Sequence, residues 1–215
     1  MRERYHRQLE QLHAELVQMG ALCEGIIAAA AEALRECSQE MAARVRHIEE
    51  AIDRKERDVE NLCLKLLLQQ QPVARDLRKI SAALKLISDL ERIGDQAADI
   101  AELTPFLAEC RQEELELVRD MARTACRMVT ESVESFVQQD LELAHAVCAE
   151  DDEMDALFVQ VKSVIVRLLR EDKAQGEVAL DLLMIAKYFE RIGDHATNVA
   201  EWVEYAVTGV HPQLN

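Results

Sequence analysis

Two stretches of this chain carry the same acidic residues at the same spacing. Residues 91–102 read ERIGDQAADIAE and residues 190–201 read ERIGDHATNVAE, with eight of twelve positions identical and a separation of 99 residues. An α-helix turns about 100° per residue. Taking Glu91 as zero, Asp95 falls at about 40°, Asp99 at about 80° and Glu102 at about 20°, so four acids share one stripe. Glu190, Asp194, Asn198 and Glu201 occupy the same places in the second stretch. Upstream, Glu49, Asp53, Glu56 and Glu60 form a comparable arc, and Asp151, Asp152 and Asp155 form another. Clustered carboxylates repel and resist losing water. Three arrangements relieve them: a bound cation, a paired Arg or Lys, or an opening to solvent. Oxygen donors suit Mg²⁺, Mn²⁺, Ca²⁺ or Fe³⁺ better than soft metals. A stripe of Glu is most often only a solvated helix face. Against that bland reading, these stripes run on from apolar positions (Ile80, Leu84 and Ile87; Ala179, Leu183 and Ala186), occur twice, and fall on neighbouring segments. The acids are therefore expected to look into a bundle and to bind metal. Arg92 and Arg191 point sideways and suit salt bridges.

The elements that must position these acids are helical. Aromatics make up 4% of the chain, with only six Gly and three Pro, too few turn formers to punctuate a sheet. The rare breaks are Ser38-Gln39-Glu40, Gln71-Pro72 with Asp76 as a following cap, Thr104-Pro105, an N-cap at Asp140, Asp172 to Gly176, and Gly209 to Pro212. They leave six helices at roughly 6–37, 40–70, 75–108, 112–138, 141–171 and 176–208. The fold class is all-α, six long helices in two tandem, similar three-helix bundles, 1–109 and 110–215. Acid pairs before Ile52-Asp53 and Met154-Asp155 extend the repeat upstream. Gly94 and Gly193 sit inside helical patterns and are read as close helix packing, with room for a ligand as the alternative. His195 is a possible ligand, more commonly a hydrogen-bonded residue.

A net charge of -16 disfavours nucleic acid and suits cations or basic protein surfaces. Cys23, Cys37, Cys63, Cys110, Cys126 and Cys148 follow neither a zinc pattern nor a disulfide framework and are read as small core residues. The N-terminus lacks a signal-like apolar run, and no segment is expected to span a membrane, so the address expected is cytoplasmic.

The doubled stretches, Glu91-Arg92-Ile93-Gly94-Asp95 with Asp99 and Glu190-Arg191-Ile192-Gly193-Asp194-His195 with Asn198, resemble the paired signature of the PhoU family. The likeness extends to 71–78 (QPVARDLR) and to the tail segment through Trp202 and Tyr205. It implies two similar three-helix bundles and multinuclear clusters of iron, zinc, manganese or magnesium. Carried over, the metal ligands are Glu91, Asp95 and Asp99 with Glu49 and Asp53, then Glu190, Asp194 and Asn198 with Asp151 and Asp155. Asn198 stands where the first copy has Asp99, so the second site has less charge. The resemblance also implies a homodimer or larger oligomer and a negative regulator of the phosphate-starvation response. Its partners would be the ATPase of a phosphate ABC transporter and a membrane sensor histidine kinase, and it would meet the membrane only through them. No catalytic residue is expected, since no nucleophile–base set is visible. The competing readings are a carboxylate-bridged metalloenzyme, disfavoured because neither signature helix has a His three residues after its Glu, and a metal-free helical adaptor.

Overall fold

A computed structural model of the chain describes residues 2–36, 39–70, 74–107, 110, 112–171 and 176–210. Among these, six long helices appear: α1 (Arg2–Glu36), α2 (Gln39–Gln70), α3 (Ala74–Leu103), α4 (Gln112–Gln138), α5 (Leu141–Glu171) and α6 (Gly176–Thr208). A 3₁₀ turn, Thr104–Leu107, follows α3. The described residues contain no strand. The all-α, two-repeat expectation holds.

The terminators act as their chemistry requires. Gln139 takes a left-handed φ of 59°, and Asp140 then caps α5, its Oδ1 accepting from the amides of Glu142 (2.9 Å) and Leu143 (3.1 Å). Gly209, at φ 85°, ends α6 and sends its amide back to the Tyr205 carbonyl. Two expectations are corrected. Asp76 lies inside the first turn of α3, where it faces the helix dipole, rather than at its cap. Pro105 ends α3 at Leu103, because the residue before a proline disfavours the α region, and the chain tightens to 3₁₀. The expected breaks at Ser38, Gln71-Pro72, Asp172 and His211-Pro212 lie outside the described residues, as does Cys37.

Helices α1, α2 and α3 pack on one another, as do α4, α5 and α6. The two groups share one continuous core, because α3 packs along α6 and α1 along α4. The broadest helix pair in the molecule is α3–α6. Gly20 lets α1 and α4 touch, since a Cβ there would sit 3.0 Å from Val133. Among the described residues one helix, Tyr5–Glu36, is by length and composition apolar enough to cross a membrane. In the fold this helix is a core element, with Leu16, Met19, Cys23, Ile26 and Leu34 fully buried. Cys63 and Cys110 are also buried, while Cys126 and Cys148 are only half-buried and so sit at the core's edge.

Candidate metal centre

The acids are positioned by two glycines. A Cβ on Gly94 would come within 3.0 Å of Ile52 Cδ1, and one on Gly193 within 3.2 Å of Met154 Cγ. Each glycine sits one residue before an Asp of the signature, so α3 meets α2, and α6 meets α5, closely at the level of the carboxylates. The packing account of both glycines holds.

In the first half this approach brings Glu49, Asp53 and Asp95 together, one carboxylate oxygen of each lying within 4.8 Å of the others. Burial and the neighbouring Asp53 and Asp95 raise the Glu49 carboxyl above its usual range. Asp95 is raised by burial, then by Asp53 and Asp99. Glu91 joins the group electrostatically, raised by burial and by Asp95, Glu56 and Asp53. Ser88 Oγ donates to Glu56 at 3.5 Å. The acids do not face the bundle interior as the stripe suggested. The face that is fully buried at Ile80 turns to the flank of the core by Glu91, and Leu64 at the far end of the α2 stripe is 44% exposed. All four acids are only half-buried.

Asp99 leaves this group. It accepts a hydrogen bond from Tyr188 and lies near Arg191, both on α6. Glu102 is drawn to Arg46, at 3.5 Å.

In the second half the convergence is read from Asp151. Burial together with Asp194, Asp155, Glu190 and Asp152 pushes its carboxyl up to about 6. Glu190 is ion-paired to Lys187, one turn back on α6. Asn198 is turned away, its Nδ2 donating to Asp89 Oδ1 at 3.3 Å. His195 Nδ1 meets the same oxygen at 3.0 Å, so the hydrogen-bonded account of His195 holds. Among the described residues no group in this half is as tight as Glu49–Asp53–Asp95.

Sequence reasoning missed Tyr188, Asp89 and Lys187. Lys187 was readable from its i,i+3 spacing to Glu190; the other two join helices distant in sequence and left no local signal. The donors that do converge are all carboxylates, a set that fits a hard divalent or trivalent cation and offers no thiolate or imidazole to a softer one. Raised carboxyls that touch one another are what a cation would relieve.

Comparison with known proteins follows the same halves. The PhoU domain family matches residues 16–104 and again 118–203. A Clostridium acetobutylicum protein described as a phosphate-specific transport system accessory protein PhoU homolog is 35% identical, over 100% of this chain and 99% of its own. The crystal structure of PhoU from Pseudomonas aeruginosa superposes with a TM-score of 0.89 at 33% identity, covering 96% of this chain and all of that one. The phosphate transport system regulatory protein PhoU from Streptococcus pneumoniae gives a TM-score of 0.85 at 25% identity, covering 98% of this chain and all of that one.

Proposed function

This chain belongs to the PhoU family, and from that premise we propose that it is a non-enzymatic, metal-binding regulator attached to phosphate uptake. It restrains the phosphate-starvation response when phosphate is plentiful, by linking the ATPase of a phosphate ABC transporter to a sensor histidine kinase. It works in the cytoplasm as an oligomer and reaches the membrane through those partners. The observation that carries the regulatory reading is similarity over the full chain to proteins described as phosphate transport accessories.

The metal reading rests on the Glu49–Asp53–Asp95 group and on Asp151 among its acidic neighbours. Glu91 and Asp155 complete the two sets of ligands, with Glu190 and Asp194 in the second. Asp99 and Asn198 serve the metal only if they exchange their partners on the opposite half. Bound iron, manganese or magnesium would supply positive charge holding α2 to α3 and α5 to α6. The experiment is complementation of a bacterium lacking its own PhoU, read by a phosphate-starvation reporter in high phosphate. Wild type is expected to restore repression. A reporter left fully active by soluble, folded protein would overturn the regulatory reading.

A further inference from the structure

The two acidic groups differ in what neutralises them. The helix crossings align the halves: Gly94 meets Ile52 as Gly193 meets Met154, so Ile52 corresponds to Met154 as Gly94 does to Gly193. Glu49 and Asp53 then answer to Asp151 and Asp155, and Glu91 and Asp95 to Glu190 and Asp194. Two neighbouring positions do not match. One turn beyond Ile52 stands Glu56, and one turn beyond Met154 stands Phe158. Three residues before the signature glutamates stand Ser88 in α3 and Lys187 in α6.

In each half these two positions touch. Ser88 Oγ donates to Glu56 Oε1 at 3.5 Å, and Glu56 lies close enough to Asp53 and Glu91 for their charges to interact. The first half thus adds a fifth carboxylate to Glu49, Asp53, Glu91 and Asp95. Arg92 offsets Glu91 and Asp95 from the side, with no ion pair to either among the described residues. In the second half the Lys187 ammonium is ion-paired to Glu190 and lies 5.6 Å from the centre of the Phe158 ring. An aromatic face attracts a cation without carrying charge of its own. The exchange of Glu56 and Ser88 for Phe158 and Lys187 therefore removes one negative charge and supplies a positive one.

The ammonium also lies over its carboxylate. The Glu190 side chain is 13% exposed and that of Lys187 is 44% exposed. A carboxylate so far from water needs a positive partner, whether an ammonium or a metal ion. Lys187 is joined to Glu190 through one turn of helix, so it is present at every metal concentration. Its long, half-exposed side chain is free to swing into solvent when a stronger cation arrives.

We propose that Lys187 is a tethered counter-ion of the second acidic group, holding Glu190 until a metal ion displaces it. The inference rests on the metal-binding reading above and adds an order of filling. The first half, with five carboxylates and no internal ammonium, takes a cation at low concentration. The second half takes one only at a concentration high enough to displace Lys187.

The test uses full-length protein freed of metal by chelator and titrated with Mn²⁺, free Mn²⁺ being read by electron paramagnetic resonance. Wild type is expected to show a tight and a weak class of site. Asp95→Asn is expected to weaken the tight class and Asp194→Asn the weak one, which assigns each to its half. Lys187→Ser installs the first-half residue and is expected to tighten the weak class about tenfold, with the tight class moving less than about twofold. Lys187→Arg retains the charge and is expected to retain the weak class. Lys162, whose Nζ lies 5.0 Å from the same Phe158 ring, supplies the control. Lys162→Ser removes an equal charge without touching Glu190 and is expected to move the weak class less than about twofold. The reciprocal Ser88→Lys is expected to loosen the tight class about tenfold and, in chelator, to melt higher than wild type. Should Lys187→Ser misfold by circular dichroism, Ser88→Lys decides: a tight class it leaves unchanged overturns the proposal. A weak class unmoved by Lys187→Ser, or tightened as much by Lys162→Ser, overturns the proposal while the metal-binding reading stands. Wild type that binds no Mn²⁺ in either class overturns both.

Discussion

Asp95 touches the problem of the candidate site most directly, because Asp53 and Asp99 both push on it. Asp95→Asn removes a repelling charge and a proposed metal ligand together. The metal-free variant is expected to melt higher than wild type by up to about 3 °C, as ~1 kcal/mol shifts a chain of this size by about 2–4 °C and half-exposed charges are screened. Excess Mn²⁺ or Mg²⁺ is expected to raise the melting temperature of wild type and to do so less in the variant. Identical melting in chelator and in metal for both proteins would remove the metal reading from these residues. In the second half Asp151 is the informative position. Its carboxyl is raised to about 6, so between that value and the ordinary aspartate range the folded chain holds a proton that the unfolded chain releases. Stability of the metal-free protein must then rise as pH falls from 7 towards 5 and decline again as pH climbs through 6. Asp151→Asn is expected to flatten that portion of the curve. With metal present the slope reverses in sign at this site, since protons compete for the same oxygens. Thermal melts across pH 5–8, with and without chelator, check both statements.

At the scale of single elements, helix ends were readable because caps are local. Asp140 follows two glutamines and precedes an amphipathic run, and the structure seats two amides on it. Asp140→Ala is expected to cost about 1 kcal/mol, measured by urea unfolding. Gly94→Ala sets two effects against each other. Helix propensity gains about 1 kcal/mol, while crowding of Ile52 costs a similar amount or more. Net stability is expected to move by less than about 1.5 kcal/mol, but the carboxylates of α2 and α3 are spread, so metal affinity measured by calorimetry should fall by more than stability does. Periodicity reached its limit at the stripes themselves. It places acids on one face of a helix without naming the neighbour that face meets. The arc on α3 spans about 80° from Glu91 to Asp99, wide enough to serve two neighbours, so Glu91 and Asp95 go to α2 while Asp99 goes to α6.

For the whole molecule, the repeat announced two bundles but not how they join. The join is a long contact between the two signature helices, made by residues whose partners lie some hundred positions away. We propose that the chain divides at 109/110 as a matter of lineage but folds as one unit. Residues 1–109 expressed alone would bare the faces of α1 and α3 that α4 and α6 cover. That fragment is expected to aggregate or self-associate, and to unfold well below the full chain, by size-exclusion chromatography and thermal melting. A well-behaved monomeric fragment as stable as the parent would show instead that each half is independent.

The seam between α3 and α6 has a numerical regularity. Asp89 meets Asn198, and Asp99 meets Tyr188; adding 99 to Asp89 gives Tyr188, and to Asp99 gives Asn198. The two contacts are thus one contact seen from either side of an approximate dyad. If the halves were separate identical chains, both would be the same pair, and any substitution would alter both at once. Tethering them in one polypeptide lifts that restriction. One contact has become aspartate with asparagine and histidine, the other aspartate with tyrosine. A covalently joined pair can therefore give its two ends different residues, and with them different chemistry, which no assembly of identical subunits can encode in its sequence.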